Sequence, residues 1–195
     1  MLSADEALQR LVEGNRRYVA DKALHPNQTE SRRAEVAQGQ HPFAAILGCT
    51  DSRVPPEIIF DRGLGDLFVI RSAGQVLDEA VIGTLEFGIV ELAIPLLVVL
   101  GHSNCGALHA TIEALERGAE PEGSVRYLVE SIRPAVERAK GQSGDLLDNA
   151  VRINLELVLN RLRESRVLSE ALHKGWLKIV GARYDLNTGV VEFTD

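Results

Sequence analysis

The fold class is best predicted from the segment Leu96-Leu97-Val98-Val99-Leu100-Gly101-His102-Ser103-Asn104-Cys105-Gly106. Its first five residues form an unbroken apolar run, which is typical of a strand buried on both faces of a parallel sheet. A histidine and a cysteine follow near the carboxyl end of that strand. The stretch 43–53 repeats this arrangement, because the apolar residues 43–47 precede Cys49. The sequence therefore predicts two thiols and one imidazole at the carboxyl ends of two buried strands.

These three side chains, Cys49, His102 and Cys105, are of the types that bind zinc. Three protein ligands leave the fourth position of a tetrahedral site open for water, as a catalytic zinc ion requires. Cys105 would also begin a helix, where the helix dipole lowers the pKa of a thiol. We therefore predict a zinc enzyme that activates water.

Asp51 and Arg53 follow Cys49 at alternate positions. Side chains at alternate positions of an extended chain share a side. Asp51 could thus reach the metal or its water, and Arg53 could hold the Asp51 carboxylate through two parallel hydrogen bonds. An ordinary surface ion pair would add little stability, so we interpret the two residues as support for the metal site.

The apolar runs predict an α/β fold: a mostly parallel sheet of four strands plus an antiparallel edge strand, flanked by helices. The strands are predicted at residues 43–47, 67–70, 96–100, 177–182 and 190–193. The turn signal Asn187-Thr188-Gly189 makes the last strand antiparallel. Ligands bind beyond the carboxyl ends of parallel strands where the strand order reverses. The order 2-1-3-4-5 would bring Cys49 and His102 together at such a point.

Helical patterns separate these strands. Helices are predicted at residues 3–20, 29–38, 57–60, 78–92, 105–117, 124–140, 145–163 and 165–174. Ser3 and Glu6 form a capping box at the start of the first helix, and its apolar stripe, which includes Leu11, needs a surface to cover. We predict a single domain over residues 1–195, in which residues 1–38 form an N-terminal helical arm.

The composition excludes several classes of protein. The chain has 21 basic and 28 acidic residues and a formal net charge of −7, so no nucleic-acid interface is predicted. Its longest apolar run, residues 94–100, is far too short to span a bilayer. No secretory signal is recognised, and two cysteines suit reduced thiols better than a disulfide framework. We expect a cytoplasmic protein that binds neither nucleic acid nor membrane.

The sequence resembles the β-class carbonic anhydrases over essentially its whole length. The matching motifs are Cys49-Thr50-Asp51-Ser52-Arg53-Val54, Gly65-Asp66-Leu67-Phe68-Val69-Ile70-Arg71-Ser72-Ala73-Gly74 and Gly101-His102-Ser103-Asn104-Cys105-Gly106-Ala107, together with segments 11–18 and 181–189. The resemblance implies zinc-dependent reversible hydration of CO2 to bicarbonate and a proton, by attack of a zinc-bound hydroxide. It makes Cys49, His102 and Cys105 the zinc ligands and Asp51 with Arg53 the catalytic pair.

The resemblance also implies an assembly. Members of the family form homodimers that often pair into tetramers, with the active site at the dimer interface. The arm of residues 1–38 would pack on the partner subunit, which would account for the apolar stripe of the first helix.

Four further residues are assigned to substrate binding by the same resemblance. Gln40, nine positions before Cys49, would contact the substrate. Phe68 and Phe87 would line an apolar pocket for CO2, and Ala73 stands where a larger apolar residue can occur. A tryptophan three positions before the first cysteine marks the form of the family with a bicarbonate inhibitory pocket. Ile46 stands there, so the sequence resembles the open, water-bound form.

Three alternatives remain open at this point. The same scaffold could hydrolyse a molecule similar to CO2, such as carbonyl sulfide or carbon disulfide. A non-catalytic zinc protein would instead close the site with a fourth ligand, for example Asp51. The presence of Arg53 and Gln40 argues against that second alternative. The third is a thiol redox protein, against which the 56 positions between Cys49 and Cys105 and the lack of a Cys-x-x-Cys motif argue.

Overall fold

The computed structural model describes residues 2–118 and 121–194. Met1, residues 119 and 120, and Asp195 of the predicted domain lie outside the described residues. The strands are Ala44–Cys49 (β1), Leu67–Ser72 (β2), Leu96–His102 (β3), Lys178–Tyr184 (β4) and Val191–Thr194 (β5). The helices are Ala4–Val19 (α1), Glu30–Val36 (α2), Pro56–Ile59 (α3), Glu79–Glu91 (α4), Gly106–Arg117 (α5), Val125–Ala139 (α6), Leu146–Arg163 (α7) and Arg166–His173 (α8).

The five strands form one sheet in the order β2-β1-β3-β4-β5. The first four are parallel, and β5 pairs antiparallel with β4 at the edge. The predicted fold class and strand order are thus confirmed. The strand order reverses at β1 and β3, which are hydrogen-bonded neighbours. This is the place in an open α/β sheet where ligands bind.

Helices cover both faces of the sheet, because side chains of each strand point alternately to the two faces. One face, with Leu47, Leu97 and Val99, packs against α4, α7 and α8. The other, with Ile46 and Val98, packs against α1 and α3. A third apolar cluster, between α5, α6 and α7, includes both cysteines. The carboxyl ends of β1 and β3 are therefore held in a packed interior.

Helix α1 begins with the predicted capping box of Ser3 and Glu6. Its apolar stripe lies on its own sheet, where Leu11 is fully buried among residues of β1 and β3. The helix also approaches the end of α3 closely, because a Cβ at Gly14 would lie 1.8 Å from the carbonyl oxygen of Phe60. The stripe is covered within one chain and does not by itself indicate a partner.

Helix α2, the other half of the arm, buries none of its residues. Its N-cap is Thr29, whose side chain accepts a hydrogen bond from the backbone of Arg32. Packing of residues 1–38 on a partner subunit stays a prediction. Helix α2 could make that contact, because none of its residues is buried within its own chain.

Candidate metal centre

Three potential metal ligands meet where β1 and β3 end. Cys49 is the last residue of β1, and His102 is the last residue of β3. Cys105 is the N-cap of α5. Their ligand atoms all lie within 4.8 Å of one another, and all three residues are buried. The predicted convergence of two thiols and one imidazole therefore occurs in the folded chain.

The histidine is oriented by its own main chain. Nδ1 of His102 lies 2.9 Å from the carbonyl oxygen of Ser103, so Nδ1 carries the proton and donates it. The main-chain N–H of Ser103 in turn donates to the carbonyl oxygen of Tyr184 on β4. The other ring nitrogen, Nε2, is buried and has no hydrogen-bond partner within the described part of the chain. Its lone pair is free to bind a metal ion, which explains a buried polar atom that would otherwise be costly.

The two sulfur atoms lie 4.0 Å apart. Zinc–sulfur bonds of roughly 2.3 Å at a tetrahedral angle would place two sulfurs about 3.8 Å apart, so the observed spacing fits zinc. The mixture of thiolates and imidazole favours zinc over magnesium or calcium, which prefer oxygen. The residues present therefore fit a zinc ion held by Cys49, His102 and Cys105.

The thiols influence each other's ionisation. The hydrogen bond from Cys105 lowers the pKa of Cys49 to about 4, although burial opposes the shift. The pKa of Cys105 is raised, first by its bond to Cys49 and then by burial. Two ionised sulfurs this close repel each other, and a cation beside them favours ionisation of both. The electrostatics of the pair therefore also suit a divalent ion.

Asp51 and Arg53 form the predicted pair. Nε and Nη2 of Arg53 donate to the two carboxylate oxygens of Asp51 at 2.9 and 2.7 Å. The backbone N–H of Arg53 also donates to Asp51. The guanidinium bonds hold the pKa of Asp51 down at about 2, against burial. Oδ2 of Asp51 lies 4.0 Å from Nε2 of His102, so an ionised carboxylate faces the space between the three ligand atoms.

Two residues that sequence reasoning left without a role support this geometry. The Arg71 side chain on β2 donates to the carbonyl oxygens of Cys49, at 2.8 Å, and of Asp51, at 2.6 Å. The backbone N–H of Gly74 donates to the sulfur of Cys49 at 3.4 Å. Both residues lie in the motif 65–74, so the motif itself was the available signal.

The four predicted substrate-binding residues lie in two places. Ala73 belongs to a single 3-10 turn, Ala73–Gln75, directly beside Cys49. Phe68 pairs with Ala45, four residues and roughly 13 Å of strand before Cys49. Phe87 is half-exposed on α4, and Gln40 precedes β1 at the amino edge of the sheet. Within one chain, only Ala73 lies at the metal centre.

Comparison with known proteins agrees with the fold. The family model described as "Carbonic anhydrase" matches residues 44–191. A carbonic anhydrase of Mycolicibacterium smegmatis is 44% identical over 188 residues, which cover 95% of this chain and 91% of the relative. Carbonic anhydrase 2 of Mycobacterium tuberculosis (strain H37Rv) is 44% identical over 184 residues, covering 94% and 89%.

Among solved structures, the β-carbonic anhydrase CcaA matches with a TM-score of 0.75 at 28% identity, over 96% of this chain and 87% of that chain. An open α/β sheet with a two-thiolate, one-imidazole centre at its point of strand reversal defines a zinc enzyme of the β-carbonic anhydrase type. This chain belongs to the carbonic anhydrase family, in its β class. It is a zinc-dependent lyase that interconverts CO2 and bicarbonate.

Proposed function

We propose that the reversible hydration of CO2 takes place at the Cys49–His102–Cys105 centre, with Asp51 and Arg53 as the catalytic pair. The observation that carries this proposal is the buried Nε2 of His102, which has no hydrogen-bond partner among residues 2–118 and 121–194 and lies within 4.8 Å of two sulfurs. When bound, zinc lowers the pKa of a coordinated water, which makes a nucleophile available at mild pH.

The protein's own residues orient that chemistry. The Asp51 carboxylate, ionised because of its bonds to Arg53, can accept a hydrogen bond from the attacking water and turn the water's lone pair toward CO2. Both Asp51 oxygens are engaged by Arg53, which keeps the carboxylate from acting as a fourth metal ligand. The fourth position then stays open, as catalysis requires.

The site is completed by a second copy of the chain. Gln40, Phe68 and Phe87 are assigned to the substrate, yet they lie toward the amino edge of the sheet, away from their own Cys49. The outer strand β2 has its outward edge free for pairing in the described structure, and Phe68 and Val69 on it are only half-buried. A twofold partner runs antiparallel at such an edge, so its amino edge meets this chain's carboxyl edge.

The surface beside β2 supports the same assembly. On α4, Phe87 and Val90 are each 51% exposed, and Leu64 before β2 is 45% exposed. Large apolar side chains left exposed in this way are typical of an interface. We therefore propose a homodimer with the active site at its interface and α2 of the arm in contact with the partner. Pairing of dimers into a tetramer stays a prediction.

The location of the protein is part of the proposal. No helix among residues 2–118 and 121–194 is long and apolar enough to cross a membrane. Sulfurs 4.0 Å apart can be oxidised to a disulfide, which would destroy both metal ligands. A reducing compartment preserves them, and we place the enzyme in the cytoplasm.

The test is stopped-flow CO2 hydration with a pH indicator, on protein of measured zinc content, from about pH 7 to 9. We expect turnover that rises with pH, because two thiolates donate charge to the zinc and make its water less acidic than three neutral ligands would. Cys49→Ala is expected to lose both zinc and turnover. Zinc-loaded protein without CO2 hydration contradicts the proposal, and turnover of carbonyl sulfide instead would identify the alternative substrate.

A further inference from the structure

The turn beside Cys49 has an unusual backbone. Gly74 has φ 63° and ψ 23°, and the next residue, Gln75, has φ 56°. Both lie in the left-handed region, which glycine adopts freely and glutamine does not. Gln75 is nevertheless 97% buried, since its exposed fraction is 3%. The surrounding structure must hold this turn in place, because the backbone of Gln75 alone disfavours it.

The turn has a direct link to the metal centre. The N–H of Gly74 is the group that donates to the sulfur of Cys49. A Cβ at position 74 would lie 2.8 Å from Cδ1 of Ile132 and 3.2 Å from Cβ of Ala107. The turn is therefore pressed between α5, α6 and Cys49, and only glycine fits at its centre.

One rotation would relieve the strain. Turning the peptide plane between Gly74 and Gln75 by about half a turn changes ψ of Gly74 and φ of Gln75 together, and moves Gln75 to negative φ. Glycine at position 74 tolerates the new ψ. The rotated peptide would point its carbonyl oxygen the other way, and Gly74 would lose any bond that holds it through that oxygen.

A side chain from a distant helix opposes that rotation. Nδ2 of Asn154, on α7, donates to the carbonyl oxygen of Gly74 at 2.8 Å. Asn154 is 5% exposed and lies on the otherwise apolar face of α7, next to Val151 and Val158. Rotation of the peptide would break this hydrogen bond between the Asn154 amide and the Gly74 carbonyl, and an unpaired polar group is costly in a packed interior.

We propose that Asn154 is a positioning residue of the zinc centre: its bond to the carbonyl oxygen anchors Gly74, so that the N–H of the same residue stays on the sulfur of Cys49. The inference rests on the proposed zinc ligands. An N–H bond to a metal-bound thiolate stabilises the sulfur lone pairs and orients the sulfur. Asn154 thereby acts on Cys49 through Gly74, without touching the metal or the substrate.

The test replaces the Asn154 side-chain donor and measures the effect on the metal-bound sulfur of Cys49. Asn154→Asp keeps the size of the side chain but removes its N–H donor, and Asn154→Leu removes both polar atoms. Asn15→Asp is the matched control, because Asn15 is also 5% exposed. Its Nδ2 also donates to backbone carbonyls, those of Ile59 and Gly189, which lie away from the centre.

Each variant is loaded with cobalt, and the sulfur-to-cobalt charge-transfer band is recorded. We expect the band to move to lower energy in both Asn154 variants and to stay in place in the control. The zinc affinity, measured by competition with a chelator, is expected to fall about tenfold in the Asn154 variants alone. The Gly74 amide proton, assigned by NMR in zinc-loaded protein, should shift upfield as its bond to sulfur lengthens.

The outcomes separate the two proposals. A wild-type protein without a sulfur-to-cobalt band overturns the proposed zinc centre. A wild-type band that is unchanged in folded Asn154 variants, with unchanged Gly74 amide shift, overturns the role of Asn154. Equal changes in the Asn15 variant would assign the effect to general loosening of the fold and also overturn it. If Asn154→Leu does not fold, Asn154→Asp carries the test.

Discussion

At the scale of single residues, the hydrogen bonds by which Arg53 orients the Asp51 carboxylate also keep that carboxylate ionised. The folded-state pKa of Asp51, about 2, lies below its ordinary value of 3.8. A lowered pKa means that the ionised form is the stabilised one, so this contribution is complete above pH 3.8 and is lost as the pH falls toward 2. Asp51 is therefore ionised throughout the neutral and alkaline range, and the alkaline rise in activity must come from another group.

Arg53→Ala tests the pair. We expect kcat/KM for CO2 hydration to fall about 10–100-fold, because Asp51 is released from its orientation and becomes free to bind the metal. Stability near neutral pH should change little, since the Arg53 side chain is 56% exposed. Stopped-flow hydration and urea unfolding measure the two quantities.

Arg117→Ala is the control, because Arg117 is also exposed and paired, with Glu113 on α5. It should match the wild type in both measurements. Wild-type hydration by the Arg53 variant would remove the pair from the mechanism.

At the scale of elements, α4 approaches β2 through a glycine. A Cβ at Gly88 would lie 2.7 Å from Cε1 of the Phe68 ring. Alanine is normally the better helix former by about 1 kcal/mol. Here the methyl group of alanine would displace either α4 or the Phe68 ring. The cost of that steric clash exceeds the gain in helix propensity.

Gly88→Ala is accordingly expected to destabilise the fold by about 1–3 kcal/mol. Gly83→Ala on the same helix, where no atom of the described residues lies within 4 Å of a Cβ, should stabilise it by up to about 1 kcal/mol. Urea unfolding of both variants gives the two values. A stabilising Gly88→Ala would show that Phe68 can move away at little cost.

Helix starts were predictable from sequence, and strand ends were not. Asp78, Asp145 and Ser165 each cap a helix with their side chains, at or next to the predicted starts. The predicted β1 ended at residue 47, before Gly48, and glycine is depleted in strands. Pairing of Gly48 with Arg71 and Leu100 extends the strand to Cys49, and such pairing is not visible in the local sequence.

At the scale of the whole molecule, site residues that follow a local sequence pattern could be predicted, and a residue whose partner is distant along the chain could not. The metal ligands and the Asp51–Arg53 pair could be predicted because each lies shortly after the apolar run of a buried strand, and parallel strands bring their carboxyl ends to one edge of the sheet. Asn154 was not singled out, although an asparagine on an apolar helix face is a visible signal. Its partner, the Gly74 carbonyl, lies 80 residues away, and only the packed fold brings the two together.

A mixed dimer tests whether the second copy completes the site. One subunit carries Gln40→Ala and the other Cys49→Ala, and two affinity tags isolate the mixed species. If Gln40 serves the partner's metal centre, one of the two sites is intact, and we expect about half of the wild-type activity.

Dimers of each variant with itself are the controls. The Gln40→Ala dimer should be impaired, and the Cys49→Ala dimer inactive. A mixed dimer no more active than half of the Gln40→Ala dimer would mean that Gln40 acts within its own subunit. A monomer in solution with full activity would exclude the shared site altogether.

The separation of Cys49 and Cys105 along the chain has a thermodynamic consequence. An ion that holds both sulfurs closes a loop, because the two residues are 56 positions apart. A covalent bridge closing a loop of that length reduces the entropy of the unfolded chain by an amount worth about 4 kcal/mol. Zinc would thus be a reversible cross-link between the end of β1 and the start of α5, and a chelator would lower the stability of the fold as well as abolish activity.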